Sequence, residues 1–121
     1  MIEVSQAIRT FLKTLHPRIY QQIAPETATY PYLVYDFQLY PTGEGEELCT
    51  LVIDGWDKTL TGDTSIIENL MTSIKALDKK TISTDNFSVT FYLENMIALV
   101  DDDKTLRRRN YNYTGNLIRN N

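Results

Sequence analysis

The stretch that most narrows what this chain can fold into is YPYLVYDFQLY, residues 30–40. Taken alternately, Leu33, Tyr35, Phe37 and Leu39 form a wholly apolar or aromatic row. Tyr32, Val34, Asp36, Gln38 and Tyr40 form a mixed one. A side-chain period of two is that of a β-strand, so these rows are the two faces of one strand. The first row requires a core. The second is neither plainly wet nor plainly dry.

ELCTLVIDGWD, residues 47–57, alternates in the same way. Cys49, Leu51 and Ile53 form one row; Leu48, Thr50, Val52, Asp54 and Trp56 form the other. Pro41, Gly43 and Gly45 lie between the two strands as turn residues, so the pair reads as a hairpin. Ahead of it, Val4, Ile8, Phe11, Leu12 and Leu15 recur at helical spacing, and Pro17 disfavours helix at His16. Residues 17–31 read as a connection pinned by Ile19, Tyr20 and Ile23.

A second helix follows. Ile66, Ile67, Leu70, Met71, Ile74 and Leu77 mark its apolar face, Ser65 and Glu68 have the capping-box spacing, and Lys79 and Lys80 lie at its C-terminal end. Phe87, Val89, Phe91 and Leu93 are the inward row of a third strand, which continues through Met96–Val100 after a bulge at Glu94–Asn95. DDDK, residues 101–104, is a turn, and residues 105–118 return as a fourth strand. The expected fold is a single α+β domain over residues 1–121, in the order α-β-β-α-β-β. It is a two-layer sandwich, with two amphipathic helices on one face of a mainly antiparallel four-stranded sheet. The other face, carrying Tyr32, Val34, Tyr40, Leu48, Val52 and Trp56, is left to solvent or a partner.

Little in the chain points to catalysis. With 121 residues, folding buries about 65% of the unfolded surface, enough for one core. The formal net charge of −4 argues against nonspecific attraction to nucleic acid or anionic lipid. No apolar run approaches the ~20 residues of a membrane span. The N-terminal residues lack the basic and apolar regions of a signal peptide, so no export address is expected. One cysteine and one histidine leave no internal disulfide and no Cys/His zinc site. His16 reads as a surface or capping histidine rather than a triad base, and Cys49 as a buried inert thiol.

Gly43–Glu44–Gly45 begins like a dinucleotide fingerprint. It lacks the third glycine and a following helix, and it carries acids that would repel a pyrophosphate. Asp101, Asp102 and Asp103 read as a solvated turn rather than a metal site. Arg107, Arg108 and Arg109 with Tyr111 and Tyr113 mix cations and aromatics as single-strand binders do. On a strand, however, Arg108 faces away from its two neighbours, so the run is not one patch. No enzyme activity, cofactor, metal or catalytic residue is expected.

In order and spacing, the chain resembles the small tail-completion (tail terminator-like, head–tail joining) proteins of long-tailed bacteriophages. A helix is followed by Arg18–Ile19–Tyr20, a link with Pro25, and Pro31–Tyr32–Leu33–Val34–Tyr35 opening a strand. Val52–Ile53–Asp54–Gly55–Trp56–Asp57 ends the next strand; then come the helix with Leu70, Ile74 and Leu77 and an Arg-rich strand from Arg107 to Tyr113. The likeness spans about the whole chain, with residues 115–121 less aromatic than the family pattern. It implies a virion structural protein at the tail–head junction, assembled in the host cytoplasm. Such a subunit forms a ring, usually of six, that ends the tail tube and joins it to the head connector. The implied partners are copies of itself, the tail tube protein and head connector proteins, with neither a membrane nor specific nucleic-acid binding. A closed ring needs two different complementary surfaces. The candidate interface residues are Tyr32, Tyr40 and Trp56, the acidic tip Glu44, Glu46 and Glu47, and Arg107, Arg108 and Arg109. The alternatives are a head-side connector (head completion) subunit and a small nucleic-acid or effector-binding adaptor.

Overall fold

The two alternating segments pair as an antiparallel hairpin, β2 (Tyr32–Pro41) with β3 (Glu46–Lys58), in a register that sets Leu33 opposite Gly55 and Leu39 opposite Cys49. The inward row of each strand is buried: Leu33, Tyr35 and Phe37 on β2, Cys49, Leu51 and Ile53 on β3. In this computed structural model, which describes residues 2–42 and 45–119, the remaining elements are built around that hairpin. They are α1 (Ile2–Leu15), β1 (Ile19–Gln21), α2 (Ser65–Ile74, running on as a 3-10 turn over Lys75–Leu77), β4 (Thr81–Ser83), β5 (Phe87–Leu99) and β6 (Leu106–Arg119).

The sheet has six strands in the order β1-β2-β3-β6-β5-β4, curled into a half-barrel. It is mixed, because β1 runs parallel to β2 while the other pairings are antiparallel. The expectation of four antiparallel strands in the order α-β-β-α-β-β, layered as a simple sandwich, is therefore wrong: the order is α-β-β-β-α-β-β-β. The two missed strands are three residues each, too short to show a period. Both lie at sheet edges and exist through tertiary pairing. Leu33 N–H donates to the Arg18 carbonyl at 2.9 Å, and β4 pairs with Ser88–Thr90. In the connecting segment Ile19 is buried, but Ile23 is 80% exposed and pins nothing.

Val4, Ile8 and Leu12 of α1 and Ile67, Leu70, Met71 and Ile74 of α2 enter one core with the inward rows of the sheet. The start of α2 differs from a capping box. Ser65 is already helical, and it is Asp63 whose carboxylate accepts from both the Ser65 N–H and its hydroxyl, each at 2.9 Å. Glu68 thus lies a turn inside the helix and its carboxylate is free for another partner. At the other end the buried Tyr113 hydroxyl donates to the Ile74 carbonyl at 2.9 Å, satisfying an orphan acceptor of the last turn.

Two glycines allow close approaches, of α2 to β3 and of β5 to β6. Gly55 lies beneath Met71 and Ile67, so the helix approaches the strand closely. Gly115 sits between Cys49 and Phe91 in register, and a methyl group there would be driven into the Thr90 carbonyl oxygen. Backbone cannot yield as a side-chain tip can. Gly115→Ala is expected to lose about 1–3 kcal/mol of stability by overpacking, measured by denaturant unfolding. Ile23→Ala, at an exposed site, is expected to stay within about 0.5 kcal/mol of the parent.

Candidate functional site

The face of the sheet turned away from the helices is half-exposed, and its character changes along the strands. In the middle it is polar. Asn110 Nδ2 donates to Asp54 Oδ1 at 2.8 Å, and Asn112 Nδ2 donates to Asn110 Oδ1 and to Asn95 Oδ1, each at 2.6 Å. At the end formed by the start of β2, the finish of β3 and the start of β6 it turns aromatic. Tyr20 meets Tyr32 edge-on at 6.1 Å between ring centroids, and Tyr30 lies 5.2 Å from Tyr32. Tyr32 stacks on Trp56 at 6.4 Å and 20° between planes, and the Arg108 guanidinium lies 4.6 Å over the Trp56 ring.

Register explains this strip: Tyr32, Trp56 and Arg108 are successive cross-strand neighbours on β2, β3 and β6. An arginine over a tryptophan is worth roughly 0.5–2 kcal/mol depending on desolvation. Arg108 is only loosely neutralised, with Nη2 3.4 Å from Asp54 Oδ2 and a buried Nε–H that has no acceptor among the described residues. A cleft of about 290 Å³ opens beside it, lined by Tyr32, Val34, Asp54, Trp56 and the 22–24 segment. Burial, then the neighbouring Tyr30, pushes the Tyr32 hydroxyl above its ordinary pKa. The arrangement offers flat apolar area with one under-satisfied cation, which is the chemistry of a binding surface.

The structure gathers only some of the candidate residues. Tyr32, Trp56 and Arg108 stand together. Tyr40 lies at the far end of β2, exposed, with its hydroxyl donating to Gln38. Glu46 is exposed at the hairpin tip, whereas Glu47 is paired with Arg119 at 3.0 Å; Glu44 lies outside the described residues. Arg107 donates to the Lys104 and Leu106 carbonyls. Arg109 turns to the helix side and donates to Glu68 Oε1 at 2.6 Å. The three arginines are thus split between faces, as their alternation on a strand requires. Tyr20 and Tyr30 were missed as members of the strip. They lie in a proline-interrupted segment with no period, and their aromatic character was the only available signal.

The residues weighed for catalysis are engaged elsewhere. His16 Nε2 lies 3.2 Å from the Pro31 carbonyl, to which it donates, and desolvation holds the imidazole below its usual pKa. Arg18 Nε donates to the same carbonyl at 2.9 Å. Asp101 and Asp103 accept turn hydrogen bonds from the Asp103 N–H and from Thr105. Among the described residues no helix is long and apolar enough to cross a membrane.

Neither a family model nor a curated protein matches the sequence. Among solved structures, the chain is similar to one in the virion of a native gene transfer agent (GTA) particle, with a TM-score of 0.69 and 13% identity. The match covers 97% of this chain and 92% of that one, a likeness of fold along nearly the whole length of both.

Cys49 is fully buried in the core row of β3, and burial, reinforced by Glu47, pushes its thiol up to about 12. A thiol reagent at pH 8 is expected to label the native protein only at its unfolding rate and to label it at once in denaturant. Prompt stoichiometric labelling of the folded chain would contradict the burial described above.

Proposed function

We propose that this chain is a non-enzymatic structural subunit of a phage-like virion. In this reading it forms a ring that ends the tail tube and joins it to the head connector. The observation that carries the proposal is the strip Tyr20–Tyr32–Trp56–Arg108 on a sheet face that neither helix covers. Tyr, Trp and Arg are the residues most enriched at the energetic centres of protein interfaces. The fold shared with a chain of a gene transfer agent virion supports the virion setting. The resemblance of the sequence to tail-completion proteins supports the place within it.

A closed ring needs a donor and an acceptor surface on each subunit. The long β2–β3 hairpin separates two such surfaces. Its tip carries the exposed Glu46, and its opposite end carries Trp56 under Arg108. Ten residues of strand set these roughly 33 Å apart. In the proposed ring the acidic tip of one subunit approaches the aromatic–guanidinium end of the next, with six subunits closing it. The tube and the connector take the two rims. A nucleic-acid adaptor is less well supported, because Arg109 is tied to Glu68 and only Arg108 of the three arginines stands on the open face.

Electron microscopy of particles made without this subunit tests the proposal. Unjoined heads beside overlong or ragged tails are expected; empty, leaking heads would move the subunit to the head side as a connector. Normal infectious particles would refute the structural role. Trp56→Asp is expected to leave the monomer folded while abolishing head–tail joining. If joining survives in a properly folded Trp56→Asp protein, the open strip is not the interface.

A further inference from the structure

Past the bulge at Leu93/Asn95, β5 has a bare edge. On its side away from β6, β4 covers only Ser88–Thr90. The backbone of Lys79 and Lys80 then occupies the edge groups of Phe91, and the Asp78 carboxylate accepts the Leu93 N–H at 2.8 Å. From Glu94 to Leu99 no strand lies alongside among the described residues.

The alternation of ladder bonds identifies the groups left over. Gln22 N–H donates to the Tyr35 carbonyl and Leu33 N–H to that of Arg18, so odd-numbered residues of β2 turn to β1 and even-numbered ones to β3. Carried across the register, this turns Arg108 and Asn110 of β6 toward Leu99 and Ile97. The N–H and C=O of Met96 and Ala98 therefore face the open edge.

Soluble proteins blunt such edges with charge, proline or a very short strand. The opposite edge is blunted: Asp36 accepts the Phe37 N–H, and Pro41 has no N–H. From Asn95 to Leu99 β5 carries neither device. Met96 is 52% exposed, Ile97 42% and Val100 99%, with no cation or proline from Glu94 to Val100. Beside Met96 and Ala98, a cleft of about 330 Å³ opens toward Glu68 and Lys75 of α2. It has room for the inward side chains of an added strand.

Charge selects the occupant. Lys75 and Arg109 line the cleft, with Arg109 already paired to Glu68, while the ends of the edge are acidic: Glu94 stands at one, and Asp101, Asp102 and Asp103 follow the other, with Lys104 beyond. Pairing β5 with β5 of a second copy would bring these acids together at both ends. Pairing it with β2 of a second copy would bring up Asp36 and the acidic hairpin tip. Like charges across a ladder oppose both. We propose that the Glu94–Leu99 edge is a strand-addition site for an extended segment of a different protein, apolar at alternate positions and flanked by Lys or Arg. This site is independent of the ring reading and can fail or hold without it.

The probe is a blocked synthetic peptide of alternating valine and threonine with two lysines at each end, alongside the same peptide with glutamates in their place. Amide exchange by NMR is expected to slow at Met96 and Ala98 with the lysine-flanked peptide. That peptide should bind at least about tenfold more tightly than the glutamate-flanked one. Ala98→Pro removes an edge N–H while leaving the β5–β6 ladder intact, so it should fold and lose binding. Met96→Lys blunts the same edge by charge and serves if the proline variant does not fold. Equal binding of the two peptides, protection confined to other strands, or undiminished binding by a folded variant would overturn the proposal. Concentration-dependent protection of Met96 and Ala98 without peptide would also overturn it, by assigning the edge to a second copy.

Discussion

The pairing of β3 with β6 is the constraint on which the rest of the structure depends. It runs along the whole of β3, from Glu46 opposite Ile118 to Lys58 opposite Leu106. The two hairpins, β2–β3 and β5–β6, are local in sequence, but this ladder joins residues some sixty positions apart. Such a contact carries a large closure cost, which is repaid only when both strands bring apolar rows to the same side. They do: Leu51 lies opposite Tyr113, and Ile53 opposite Tyr111, all buried. A slip of one residue would send those tyrosines to the open face and Arg108 into the core.

That register also divides the chemistry of the molecule. On the helix side it brings Arg109 to Glu68 and the Tyr113 hydroxyl to the last turn of α2, which ties that helix to the sheet at both ends. The Arg109–Glu68 pair has one partner half-exposed, so it contributes at most about 1 kcal/mol and serves mainly to orient. On the open side the same ladder puts Arg108 over Trp56, and Asn110 against Asp54. The mixed row of the first strand thereby acquires its ambiguous character. Its middle residue, Asp36, turns its carboxylate to the Phe37 N–H and lies across β3 from the hydrogen-bonded amides of β6, and one end, Tyr32, belongs to an aromatic cluster.

Much of the fold was legible before the structure. The inward rows at 33–37, 49–53 and 87–91 are the core, and the bulge at 93–95 and the amphipathic α2 are where the sequence placed them. The errors have two sources. β1 and β4 are too short to carry a period and exist because a neighbouring strand offers unpaired groups. Ser65 and Glu68 have the spacing of a capping box, yet Asp63, two residues earlier, wins the helix start and frees Glu68 for a residue on β6. Sequence spacing says which side chains share a face; it does not say which of two competing acceptors is nearer.

By itself, then, the sequence determined which side of β2, of β3, of the first half of β5 and, Ile66 apart, of each helix is buried, because apolar periodicity is a local property that water enforces on every compact arrangement. It determined equally that Arg108 opposes Arg107 and Arg109, since alternation follows from the pleat alone. Only the tertiary structure decided that the sheet has six strands, that Trp56 meets Arg108 while Glu68 meets Arg109, and that the edge of β5 is bare where that of β2 is capped. These outcomes hang on register between distant strands. Register is fixed by the sum of many weak pairings and by no single stretch of chain.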